Sequence, residues 1–148
     1  MRIYTLLNVI LITLILTGCS IKHNIHQNVK PIRDTDYNHK VLCIIENPSV
    51  RKGFLETMKS NLLSKEFVVI VTPNASDRND CSMKVTYVGY WSWDIAIYLA
   101  YANIKIYKNN EIIGEATYDS TSGGGGGKFI NGAEKINELV DFLLPYEN

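Results

Sequence analysis

The stretch VLCIIENPSVRKGFLETMKSNLLSKEFVVIVT, residues 41–72, decides the fold. It opens on a continuous apolar run, Val41 to Ile45, as expected of a strand covered on both faces or central in a sheet. Asn47-Pro48 then turns the chain. Asn47 can cap a helix, and Pro48 is tolerated in a first helical turn because its missing N–H has no partner there. Val50, Phe54, Met58 and Leu62 recur every four residues, with Leu55 and Leu63 beside them, which is one apolar helix face. The spacing predicts a helix over residues 48–64, in which Gly53 costs up to about 1 kcal/mol relative to Ala. Phe67 to Thr72 reads as a second strand, stopped by Pro73.

Toward the C-terminus, Cys81, Met83, Val85 and Tyr87 alternate with Ser82, Lys84 and Thr86, a third strand with one buried face. Residues 98–107 and 112–118 form a predicted hairpin around Asn109-Asn110, since Asn tolerates the positive φ angles of such turns. The sequence leaves its register open. A loop one residue longer would set Lys105 opposite Glu115. Asn131 can cap a last helix over residues 132–144, with Ile136, Leu139, Val140 and Leu143 on one side and Pro145 at its end. The order is β-α-β-β-β-β-α, with no internal repeat. It predicts an α+β two-layer sandwich: a mostly antiparallel sheet of about five strands with both helices on one face. If its first two strands are parallel, their crossover should be right-handed.

Toward the N-terminus, the chain carries an address. Met1-Arg2 is a short positive start, and Ile3 to Leu16 is almost wholly apolar, long enough for a signal-peptide core and short of the roughly 18–20 residues that span a bilayer. The run ends in Leu16-Thr17-Gly18-Cys19. This is similar to the bacterial lipobox, whose Cys becomes the first mature residue and carries the lipid, palmitate included. Small Thr17 and Gly18 suit a peptidase needing narrow side chains, and the Cys19 thiol is the nucleophile for diacylglyceryl attachment. Residues 1–18 are therefore read as a lipoprotein signal peptide, 19–40 as the lipidated Cys with a flexible tether, and 41–148 as an α+β periplasmic domain. The 21 tether residues from Ser20 to Lys40 reach about 70 Å at full extension, and a flexible coil averages well under half of that. Ser20 rather than Asp follows the Cys, which in the Gram-negative sorting pattern leads to the periplasmic face of the outer membrane.

The whole chain of 148 residues has 15 Lys plus Arg and 15 Asp plus Glu. Arg2 is the one charged residue in 1–18, so the mature chain is formally at −1. That balance offers no electrostatic case for nucleic acid, which needs a basic surplus to displace counterions. Gly123 to Gly127 with Lys128 invites a phosphate-loop reading and fails it. Ser122 stands where the first Gly belongs and Phe129 where the magnesium-binding hydroxyl belongs, so nucleotide binding is not expected. The run reads instead as a connector, or as a strand end approached closely by another backbone. His23, His26 and His39 all lie in the tether, with no metal-ligand spacing, so neither a metal nor another cofactor is expected. A folded Ser/His/Asp site is likewise not expected, there is no Gly-x-Ser-x-Gly, and no carboxylate pair stands out. The expectation is a protein that is not an enzyme.

With Cys19 used by lipid, Cys43 and Cys81 remain. Both fall on strand-like segments with the same apolar parity, and an oxidising periplasm permits a disulfide between them. The most unusual stretch is Tyr90-Trp91-Ser92-Trp93-Asp94-Ile95-Ala96-Ile97-Tyr98, which holds both Trp residues and leads from the third strand to the fourth. Aromatic rings with a polar tip are favoured at binding surfaces and suit sugars. Tyr90, Trp91, Trp93, Asp94 and Tyr98 are therefore the candidate binding surface, against the plainer reading that the rings close the end of the core while Asp94 caps a turn.

The lipobox, Cys43 with Glu46-Asn47-Pro48, Gly53-Phe54-Leu55, Asp80-Cys81, Ser92-Trp93-Asp94, Tyr98-Leu99, Gly114 to Tyr118, the glycine run and Glu134-Lys135-Ile136 together resemble an uncharacterised family of small proteobacterial lipoproteins. The resemblance covers the mature domain and implies a lipid anchor without implying an activity. The architecture looks like other periplasmic lipoprotein domains with a small sheet and two helices, such as the lipopolysaccharide-assembly lipoprotein and the penicillin-binding-protein activators. Together these features predict a lipid-anchored envelope protein that binds or supports an envelope protein or peptidoglycan. The alternatives are a glycan or peptidoglycan-fragment binder using Trp91 and Trp93, and an enzyme with a carboxylate pair.

Overall fold

Strands β1 (Val41–Ile45) and β2 (Val68–Thr72) lie parallel and adjacent, joined through helix α1 (Lys52–Ser64). β3 (Met83–Asp94) pairs parallel with β1 on its other side, then β4 (Ala96–Lys108) and β5 (Glu111–Asp119) continue antiparallel, and helix α2 (Gly132–Leu143) closes the order. The computed structural model describes residues 41–73, 81, 83–120 and 131–145. Residues 1–40, with Cys19 and the three His, and the glycine run lie outside the described residues.

The sheet order is β2-β1-β3-β4-β5. This is the expected five-stranded α+β arrangement. The sheet is mixed, with two parallel ladders at one side and two longer antiparallel ladders at the other. The parallel side follows from the crossover, because a strand–helix–strand unit returns the second strand in the direction of the first.

Alternation sorts the sheet residues onto two faces. Leu42, Ile44, Met83, Val85, Tyr87, Ala102, Ile104, Ile106, Ala116 and Tyr118 share one face. They form a single buried core with Phe54, Leu55, Met58 and Leu62 of α1 and Ile136, Leu139, Val140 and Leu143 of α2. Both helices thus cover the same face. They are also tied to each other: Asn61 Nδ2 donates to Asn137 Oδ1 at 3.2 Å and Asp141 Oδ1 at 3.0 Å, and Lys65 Nζ lies 2.9 Å from Asp141.

The first helix starts later than its spacing predicts, at Lys52 rather than residue 48. Asn47 is the reason. Its side-chain oxygen accepts from Ser49 N at 3.1 Å, and its amide donates to Tyr87 O at 3.1 Å, so it builds a turn fastened to β3 and not a helix cap. Asn131 does cap α2, accepting from Ala133 N at 3.1 Å.

Candidate functional site

β3 and β4 run far past their neighbours. β1 pairs with β3 only as far as Val85, and β5 pairs with β4 only from Tyr101. From Trp91 to Leu99 the two strands pair with each other alone among the described residues, with Ile95 as the single unpaired residue at the turn. The result is a two-stranded ribbon extending about 13 Å beyond the last β5 pair, at 3.3 Å per residue. The expected connection between the third and fourth strands is thus itself strand. Aromatic and β-branched residues favour extended chain throughout it, and no Gly or Asn marks the turn. Ile95 makes that turn at φ 65°, a region that a β-branched residue rarely adopts.

Strand alternation separates the candidate residues, with Trp91 on the face of Met83, Val85 and Tyr87 and Tyr90 on the other. Trp91 sits on the helix side of the sheet. Its ring meets Phe54 edge-on at 6.2 Å, the Arg51 guanidinium lies 5.2 Å from its centroid, and its indole nitrogen lies within 3.8 Å of where a Cβ on Gly132 would stand. It is half-buried between the starts of both helices and serves the core's end, as the plainer reading expected. Tyr90 lies on the opposite face, 63% exposed, with its ring 5.8 Å from that of Tyr101. Trp93 is 71% exposed and pairs across the ribbon with Ile97, which is 58% exposed. Ile95 at the turn is 83% exposed. Asp94 and Tyr98 are half-buried on the ribbon. The five predicted residues therefore do not converge on one surface. The exposed apolar group is Trp93, Ile95 and Ile97.

Ile95 and Ile97 are the residues that reading the sequence missed. Their signal is the alternation Trp93, Ile95, Ile97, which puts apolar side chains at every second position of a segment that has no helix over it.

The sheet face away from the helices is polar along β4 and β5. Lys105 lies opposite Glu115, with Nζ 3.2 Å from Oε1. Asn103 Nδ2 donates to the same oxygen at 2.8 Å and to Thr117 Oγ1 at 2.7 Å. The Asn103 amide holds the Glu115 carboxyl below the usual carboxylate value, against the upward push of burial and with the Lys105 ammonium assisting. On β1 the same face carries Cys43, which is buried at disulfide distance from Cys81, 5.9 Å between Cα atoms. Cys81 is not on a strand, since β3 begins at Met83, and Cys43 points away from the Leu42–Met83 face. Shared strand parity thus does not account for the pair. The chain arriving at β3 brings Cys81 over the outer face of β1.

Among the described residues no group of three or more His, Cys, Asp and Glu could hold a metal ion, and no helix is long and apolar enough to cross a membrane.

No protein-family model matches the chain, and no curated protein matches it. Among solved structures the chain is similar to PelC from Paraburkholderia phytofirmans, described as a dodecamer in two crystal forms. The TM-scores are 0.53 and 0.51 at 11% sequence identity, covering 80% of this chain and 94% of that chain. At that identity the likeness is one of fold.

Proposed function

We propose that this chain is a lipid-anchored periplasmic protein of the outer membrane, non-catalytic, which works by assembling with itself or another envelope component. The observation that carries the reading is the exposed ribbon tip and where it stands relative to the tether. β1 begins at the sheet end where Leu42 faces Met83, and β3 runs from there to Asp94, about 36 Å further on at 3.3 Å per residue. A lipid on Cys19 would fasten the chain through the tether that enters β1, at the sheet end opposite the tip, which leaves the tip free for contact. Solvent-exposed Trp and Ile at such a place suit contact with a protein surface. The similar structures are dodecamers, which supports assembly as the mode of action. The Cys43–Cys81 distance suits a bond formed in an oxidising compartment.

Cell fractionation tests the anchor. Wild-type chain should sediment with membranes, and Cys19→Ser should move it to the soluble fraction. Unchanged retention of the variant would defeat the lipid reading. A second reading, binding of glycan or peptidoglycan fragments, is favoured by the exposed rings of Tyr90 and Trp93. It requires saccharide-induced tryptophan quenching that Trp93→Ala abolishes.

A further inference from the structure

We infer that the ribbon tip of one copy docks on the outer edge of β2 in the next, so that the chain assembles head to tail. This deepens the assembly reading and rests on it. The large apolar side chains exposed among the described residues fall mainly into two groups. One is the tip, with Trp93, Ile95 and Ile97. The other is the β2 margin, with Val68 at 58%, Val71 at 36% and, from the end of α1, Leu63 at 50%.

β2 is an edge strand, hydrogen-bonded to β1 on one side only within the described sheet. Its sequence, Val-Val-Ile-Val-Thr, has no charge, no Pro and no Gly. Sheet proteins normally guard such an edge with charged residues, Pro or a bulge, because its free N–H and C=O groups template pairing with another chain. The other edge of the same sheet is guarded in that way, since β5 carries Glu111, Glu115 and Asp119. The unguarded edge is therefore the one fitted to receive a strand. The ribbon is fitted to supply one. Its two strands have main-chain groups on their outer sides that no other described strand pairs, and its tip side chains are apolar like those of β2.

The tip cannot cover the β2 edge of its own copy. The parallel ladder ends at Val85, and Asp94 stands about 30 Å further along the strand at 3.3 Å per residue. Contact between two different patches on identical chains is heterologous, so each copy carries one of each and the contact propagates into a ring or a filament. A tip-to-tip dimer would leave the β2 edge bare.

The test uses the lipidated full-length chain in detergent, with molar mass read by sedimentation or light scattering. Wild type should exceed a dimer. A tip variant, Trp93→Ser with Ile95→Ser, and an edge variant, Val68→Lys, should each run as monomers with wild-type circular dichroism. Val71→Lys, which sets the charge at the other exposed β2 position, replaces the edge variant if Val68→Lys disturbs folding. Mixing tip and edge variants should yield a two-chain species and nothing larger, because the mixture has only one competent pair of surfaces. A monomeric wild type would overturn both the inference and self-assembly. Wild-type oligomers that survive both variants would overturn this pairing while leaving assembly through another surface. Loss of mass in the tip variant alone, with the edge variant unaffected, would mean tip-to-tip contact and would also overturn it.

Discussion

At Gly89 a methyl group would meet the Phe54 ring at 2.8 and 3.0 Å and the Trp91 ring at 3.1 Å. Phe54 is fully buried, so its ring cannot yield cheaply. Gly89→Ala should destabilise the domain by about 1–3 kcal/mol, read from the urea midpoint. The two tryptophans should respond oppositely. Trp91→Ala should lower the melting temperature clearly, since it removes contacts with Phe54 and Arg51. Trp93→Ala should change stability by no more than about 0.5 kcal/mol. Glu115 supplies the pH dependence. Its folded-state pKa is lowered, chiefly by Asn103, so the stability it contributes is present at neutral pH. That stability is lost as pH falls below the ordinary carboxylate value toward the lowered one. Asn103→Ala should move the Glu115 carboxyl titration upward in a carbon-13 NMR experiment. At this scale the sequence was readable for Cys43 and Cys81 as a pair, and unreadable for Trp91 against Trp93: alternation puts both on one face of β3, and only the packing at the helix starts, which reaches Trp91 and not Trp93, decides which ring is covered.

The elements themselves were largely legible, because apolar periodicity is a local property. β1 matches its apolar run residue for residue, and α2 ends one residue before the spacing predicts. The β4–β5 hairpin shows where local reading stops. Asn109 and Asn110 take φ 52° and 65° and join Lys108 directly to Glu111, a two-residue turn. That turn alone would set Lys105 against Gly114. A bulge between Ile106 and Tyr107 adds the extra residue and brings Lys105 opposite Glu115. The longer loop that would pair these two residues is thus a short turn plus a bulge, and no propensity signals a bulge of this kind. The same holds for the long β3–β4 ribbon. Its strands looked shorter than they are because the turn is centred on a β-branched residue, Ile95, with Asp94 beside it and no Gly, Pro or Asn.

For the whole molecule, the layering followed from the two one-sided helices, and only the parallel side of the sheet needed the structure to appear. The exposed surfaces were hidden for a physical reason: alternation says which residues share a face, and only packing says whether anything lies over it. The cysteine pair belongs to this scale too. Separated by 38 residues, a Cys43–Cys81 bond should contribute about 4 kcal/mol through restriction of the unfolded chain, so Cys43→Ala with Cys81→Ala should lower the unfolding free energy by about that amount. The proposed anchor fastens the domain to a membrane through one modified sulfur atom, Cys19. Intact mass spectrometry of the chain purified from bacterial membranes tests this most directly. The expected result is a polypeptide beginning at Cys19 and heavier than residues 19–148 by a diacylglyceryl group and its acyl chains. An unmodified Cys19, or a mature chain that begins elsewhere, would contradict it.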